Sequence, residues 1–92
     1  MNIFFTDEAL EDLKNISDFI SADSTKSAEK FINDLLAKIQ NIPDNPLIYR
    51  KSIYYDDANY RDLIFKKYTA VFKISNETIY ILAIFRARKY KS

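Results

Sequence analysis

The residues of this chain with the most evident chemistry form a cationic cluster near its end. The members of the cluster are Arg86, Arg88, Lys89, Tyr90 and Lys91. They directly follow the apolar stretch 81–85. Guanidinium and ammonium groups attract phosphates and carboxylates. The cluster therefore predicts a surface for an anionic or acidic partner, and the competing interpretation is a solvated chain terminus.

Arg61 is a further candidate, at the start of a predicted strand. Its neighbour is Asp62, and adjacent residues of a strand point to opposite faces of the sheet. Two roles remain open for Arg61. It could contact an anionic partner, or it could brace the sheet by pairing with an acid from a helix. We expect Lys66 and Lys67 to form only an exposed turn.

Missing residue types exclude several kinds of chemistry. The chain has no histidine, cysteine or glycine. It therefore lacks the commonest general base, the commonest transition-metal ligand and any thiolate ligand. The phosphate-cradling loops of nucleotide enzymes require glycine, so such enzymes are not expected. Asp56 and Asp57 lack further ligands and do not predict a metal site. We expect no cofactor and no metal.

Length and composition predict one folded domain. The chain has 92 residues, of which 48% are hydrophobic and 29% are charged. No apolar run approaches the roughly 18 residues that a membrane span needs. The acidic start is unlike a signal peptide. We therefore expect a cytoplasmic protein without membrane contact.

Charge is divided unevenly along the chain. Residues 1–46 hold nine acids and four bases, whereas residues 47–92 hold four acids and ten bases. The basic half is also rich in tyrosine. Its tyrosines include Tyr49, Tyr54, Tyr55 and Tyr60. These rings could stack on bases, but packing under a loop is the commoner role of a half-buried tyrosine.

The periodicity of apolar residues predicts the elements that position these side chains. Residues 1–5 are β-prone, and a helix follows from about Asp7 to Ser21 with Thr6 as its cap. A second helix begins after Asp23 or Ser24, and its apolar stripe continues to Ile42, where Pro43 stops it. The short break predicts an antiparallel helix hairpin.

The second half predicts strands. We expect a turn at 43–46, a loop with a short extended piece at 47–59, and strands at 60–65, 68–74 and 78–86. The chain turns are predicted at Lys66-Lys67 and Ser75-Asn76. The fold class is therefore α+β: an N-terminal strand, a two-helix antiparallel hairpin, and then a three-stranded, mostly antiparallel sheet.

The order and spacing of these segments resemble the RelE/ParE superfamily of toxins from type II toxin–antitoxin modules. The resemblance covers nearly the whole chain. It is carried by residues 9–16 and 18–20, by residues 28–42 with Pro43 and Pro46, and by residues 60–63, 68–74 and 79–88. The helix hairpin is similar to the ParE-like branch.

The resemblance implies a toxin that is neutralised by a cognate antitoxin, with operator DNA bound only through that antitoxin. ParE-like toxins are associated with inhibition of DNA gyrase by binding. The target- or antitoxin-binding residues would then be Arg61, Arg86, Arg88, Lys89 and Lys91. A further interpretation is that the chain is an inactive family member that serves as a co-repressor.

RelE-like toxins instead cut mRNA on the ribosome without a metal. In that alternative the catalytic residues would be Arg61, Arg86, Arg88 and Tyr90. The arginines would hold the scissile phosphate, and Tyr90 or a lysine would move the proton. This set is incomplete, because Thr69 and Ala87 stand where the family often has basic residues. The departures favour the ParE-like reading.

Overall fold

The computed structural model describes residues 1–86. Its strands are β1 (Asn2–Phe5), β2 (Arg50–Lys51), β3 (Tyr60–Phe65), β4 (Tyr68–Ser75) and β5 (Thr78–Arg86). Its helices are α1 (Asp7–Ser21) and α2 (Thr25–Gln40), followed by 3-10 turns at Ile42–Asp44 and Pro46–Ile48. Neither helix of this part of the chain is long and apolar enough to cross a membrane.

The strands form one mixed sheet in the order β1-β5-β4-β3-β2. Neighbouring strands are antiparallel except for β1, which pairs in parallel with β5. The predicted α+β class is confirmed. The structure adds that β1 joins the sheet at one edge, and that the short extended piece expected in 47–59 is β2 at the other edge.

Both helices begin at side-chain caps. Thr6 Oγ1 accepts a hydrogen bond from the Ala9 amide at 3.1 Å, and Ser24 Oγ accepts one from the Ser27 amide at 3.0 Å. The bounds of α1 agree with the prediction. Helix α2 ends at Gln40, two residues before the predicted end, because the Asn41 amide bonds to the Lys38 carbonyl in the tighter 3-10 pattern and Pro43 has no N–H to donate to the Ile39 carbonyl. Ile42 therefore reaches the core from a 3-10 turn.

Two hairpin turns take positive φ angles without glycine. Lys66 has φ 56° and Asn76 has φ 53°. Asparagine tolerates this region well, whereas a lysine does so at some cost. The turn at Lys66-Lys67 is confirmed. The last turn lies at Asn76-Glu77, one residue later than predicted, because Ser75 still pairs with Thr78.

The core lies between the sheet and the helix hairpin. The core-facing row of β4 alternates along the strand: Ala70 and Phe72 are fully buried, and Tyr68 and Ile74 pack beside them. The buried core residues are Ala9, Ile16, Leu35, Ile39, Ile42, Leu63, Ala70, Phe72, Ile79, Ile81 and Ile84. The opposite side of the sheet carries no helix in the part that is described, and we call it the outer face.

Candidate functional site

Arg61 is held by the loop that precedes its own strand. Its guanidinium donates to the carbonyl oxygens of Ala58 at 2.9 Å, Tyr49 at 3.0 Å and Leu47 at 3.4 Å. Three carbonyl acceptors satisfy most of its donors. The geometry therefore favours the bracing role, although the partners are loop carbonyls rather than an acid from a helix.

Arg86 lies away from Arg61, at the end of β5. It is exposed at the last position of β5 and faces Tyr68, whereas Arg61 faces Phe72. Four residues of β4 separate these positions, which corresponds to about 13 Å along the strand. The structure therefore does not bring Arg61 and Arg86 together. The other predicted site residues, Arg88, Lys89, Tyr90 and Lys91, lie outside the described residues.

Two side chains of the N-terminal region position the end of β5. Strand β1 ends at Phe5, beside Ile81, so the next groups of β5 lack a strand partner on that side. Thr6 Oγ1 donates to the Leu82 carbonyl at 3.0 Å, and Asp12 Oδ2 accepts from the Ile84 amide at 2.9 Å. These two side-chain hydrogen bonds replace the missing strand pairing of β5 on the way to Arg86.

The role of Asp12 was not predicted from the sequence, although a signal existed. It stands three residues after Ala9 and four before Ile16, both of which are buried. Residues at these spacings share one face of a helix. An acid on the buried face of α1 indicates a polar partner, and the partner is the backbone of β5.

Asp62 is a second residue whose role was not predicted, and it stabilises the loop that covers the outer face. Its side chain is fully buried and accepts from Arg50 Nη2 at 2.9 Å, Arg50 Nε at 3.1 Å and the Ile53 amide at 3.2 Å. All three bonds reach Oδ2, and Oδ1 is buried without a partner. The signal was a charged residue inside the apolar strand β3. Buried charges are normally paired.

Thr69 is completely buried on the outer face. Phe85 faces it from β5, and the Tyr54 ring packs edge-on against Phe85 at 5.0 Å. Its hydroxyl has no hydrogen-bond partner. Thr69 is therefore enclosed rather than open to a phosphate.

The tyrosines of the basic half have two kinds of surroundings. Tyr49 packs edge-on against Phe72 at 5.6 Å, and Tyr54 packs against Phe85, so both have the expected packing role. Tyr55 and Tyr60 stack on each other at 4.2 Å on the outer face. Asp56 and Asp57 lie beside them, exposed; within residues 1–86 no group of three His, Cys, Asp or Glu could hold a metal ion.

Comparison with solved structures shows the same fold in toxins of toxin–antitoxin systems. One match is the chromosomal ParDE system from P. aeruginosa, with TM-score 0.79, 21% identity, and coverage of 96% of this chain and 97% of that chain. The RelB-RelE antitoxin–toxin complex from Methanococcus jannaschii matches with TM-score 0.57 and 21% identity, covering 90% and 88%. The YoeB dimer from Staphylococcus aureus matches with TM-score 0.57 and 21% identity, covering 97% and 98%.

Sequence comparison decides the family. None of the curated protein sequences compared with this chain matches it. The family model described as "ParE toxin of type II toxin-antitoxin system, parDE" matches residues 3–90, which is almost the entire chain. This match agrees with the helix hairpin and with the mixed sheet. The chain belongs to the ParE toxin family of type II toxin–antitoxin systems.

Proposed function

We propose that this toxin inhibits DNA gyrase in the cytoplasm by binding to it, and that a cognate antitoxin neutralises it. The cationic end of β5 and the segment beyond it supply the binding surface, through Arg86, Arg88, Lys89 and Lys91. The resemblance to the ParE-like branch supports gyrase as the target. The P. aeruginosa and M. jannaschii structures, a ParDE system and an antitoxin–toxin complex, support an antitoxin partner.

The surroundings of Arg61 and Thr69 support inhibition by binding rather than by catalysis. Catalysis of phosphoryl transfer needs cationic groups convergent on one phosphate. Arg61 donates hydrogen bonds to loop carbonyl oxygens. The spacing of residues along a strand places it about 13 Å or more from Arg86. Thr69 is enclosed. Arg61 and Arg86 therefore do not converge on one phosphate, whereas a binding surface needs no such convergence.

A supercoiling assay tests the target. Pure toxin is titrated into DNA gyrase with relaxed plasmid, and into gyrase with the cognate antitoxin present. We expect loss of supercoiling that the antitoxin reverses. Unchanged supercoiling at a large excess of toxin would remove gyrase from the proposal.

The alternative, a ribosome-dependent mRNA endonuclease, predicts a different result. Primer extension on translated mRNA would then show new cleavage sites that depend on the toxin and disappear in Arg88→Ala. The binding proposal predicts no such sites. Growth inhibition, measured in the same cells, shows that the expressed toxin is active.

A further inference from the structure

Four aromatic rings and one ammonium group form a continuous row across the outer face. We call it the aromatic row, and its members in spatial order are Phe4, Tyr80, Lys73, Tyr60 and Tyr55. Strand register places Phe4 beside Tyr80, Tyr80 beside Lys73, and Lys73 beside Tyr60. The row therefore runs across β1, β5, β4 and β3, at the end of the outer face away from Thr69.

Direct contacts join the members on each side of the row, and strand register places Tyr80 beside Lys73 between them. Phe4 meets Tyr80 edge-on at 5.7 Å, and the ammonium of Lys73 lies 5.5 Å from the centre of the Tyr60 ring. Tyr55 stacks on Tyr60 at 4.2 Å. Such aromatic and cation–π contacts restrict the side chains before any partner arrives, which lowers the entropy cost of binding.

The row is open to solvent at both ends. Phe4 is 55% exposed and Tyr55 is 46% exposed, while the three central side chains are half-buried. Clusters of partly exposed aromatic residues are enriched in protein interfaces. Lys73, at the centre of the row, has no carboxylate within ion-pair distance in residues 1–86.

The charges select the kind of partner. A nucleic acid requires several cations along its backbone. On the described outer face, Lys73 is accompanied only by Arg50, which Asp62 already neutralises, and Asp56 and Asp57 adjoin Tyr55. A second copy placed by a two-fold axis through Lys73, the centre of the row, would oppose that ammonium to its equivalent. A partner with one carboxylate among apolar side chains fits both the rings and the ammonium.

The position of the row selects the conformation of that partner. The row lies on a sheet face, where no backbone groups are free to pair with an extended chain. A helix satisfies its own backbone hydrogen bonds. Strand spacing gives the row a length of about 18 Å including Tyr55, and a helix of about 12 residues spans that length.

We propose that the aromatic row is the docking surface for an amphipathic helix of the cognate antitoxin, with one Asp or Glu of its apolar stripe opposite Lys73. The proposal rests on the proposed function, because it assigns a surface to the partner of that function. It leaves the cationic end of β5 for the toxin's target.

Binding titrations test the surface by substitution. The probe is the protein encoded by the open reading frame beside this chain's gene, titrated into the toxin by calorimetry. We expect Lys73→Glu to weaken binding at least about tenfold through charge reversal, and Tyr80→Ala to weaken it about 30-fold as an aromatic anchor. Lys67→Glu, the same charge change in an exposed turn, should bind like the wild type. Circular dichroism checks that each variant is folded.

A footprint on the wild-type protein gives the same information without a substitution. Acetylation of lysines with and without the probe should show Lys73 protected and Lys67 unprotected. Lys14 reports on the groove between α1 and α2, which it lines with Leu13 and Ile32. Protection of Lys14 in place of Lys73 would overturn the proposal.

The outcomes separate the two proposals. If the wild type does not bind the probe, the antitoxin part of the proposed function is refuted, and so is the docking surface that depends on it. If the wild type binds and both variants bind equally well, only the docking surface is refuted. If the variants lose affinity for a labelled single-stranded oligonucleotide but not for the probe, the row belongs to a nucleic acid and the proposal is overturned.

Discussion

Arg61 and Arg86 lie about 13 Å apart along the sheet, because Arg61 faces Phe72 and Arg86 faces Tyr68 four residues away on β4. Their surroundings differ as much as their positions. Arg61 donates to three carbonyl oxygens of the preceding loop, whereas Arg86 is exposed at the end of β5. Identical side chains therefore have different expected roles: Arg61 stabilises the fold, and Arg86 is available to a partner.

Substitution of Arg61 should reduce stability. Arg61→Lys removes the planar fork and leaves at least one loop carbonyl without its donor. We expect a loss of about 1–2 kcal/mol in the free energy of unfolding, from the hydrogen bonds that are lost. Urea denaturation measures it, and Arg86→Ala, made in parallel, should unfold at the wild-type midpoint. Equal effects of the two substitutions would contradict the assigned roles.

The buried carboxylate of Asp62 should matter more than any exposed ion pair. Asp62→Asn weakens the pair with Arg50, which is 45% exposed, and the bond from the Ile53 amide. We expect about 2 kcal/mol of destabilisation, less than for a fully buried pair. The matched control is Asp18→Asn, which breaks the exposed pair with Lys14. Thermal unfolding should show a clear shift only for Asp62→Asn.

Asp12 should control the local stability of the end of β5. In Asp12→Ala the Ile84 amide loses its acceptor, and we expect a cost of about 1–3 kcal/mol. Hydrogen exchange of the Ile84 amide should accelerate markedly. Glu11→Ala, an exposed neighbour on α1, should leave that exchange rate unchanged. Equal exchange in both variants would show that Asp12 does not cap this strand.

The buried hydroxyl of Thr69 should make the protein less stable than a variant with an apolar side chain of the same shape. Thr69→Val keeps the shape and removes a buried oxygen that has no partner. We expect the free energy of unfolding to rise by about 1 kcal/mol. A lower melting temperature for Thr69→Val would mean that the hydroxyl is satisfied in solution, for example by a bound water.

The elements that could be predicted from sequence are those with local signals. Helix α1 has a capping threonine and acids in its first turn, and its bounds were correct at both ends. Strands β3 and β5 have long apolar or alternating patterns and were also correct. Two-residue β2 has no pattern of its own, since its strand geometry comes from pairing with β3.

The candidate site was less predictable, because it depends on contacts between distant residues. Asp12 and Ile84 are 72 positions apart, and no local pattern links them. The aromatic row exists only once the register of four strands is fixed. Arg61 was singled out from the sequence as a candidate site residue. Its hydrogen bonds to Leu47 and Tyr49 depend on the path of the loop, which propensities do not determine.

A supercoiling titration with charge-reversed toxins tests whether the cationic end of β5 binds gyrase. Arg86→Glu removes a cation from the proposed target surface, and Lys26→Glu makes the same charge change at an exposed position near the start of α2. We predict that Arg86→Glu needs at least about ten times more protein for half-inhibition of gyrase, while Lys26→Glu inhibits like the wild type. Equal inhibition by all three proteins would show that Arg86 does not bind the target, and no inhibition by the wild type would show that gyrase is not the target.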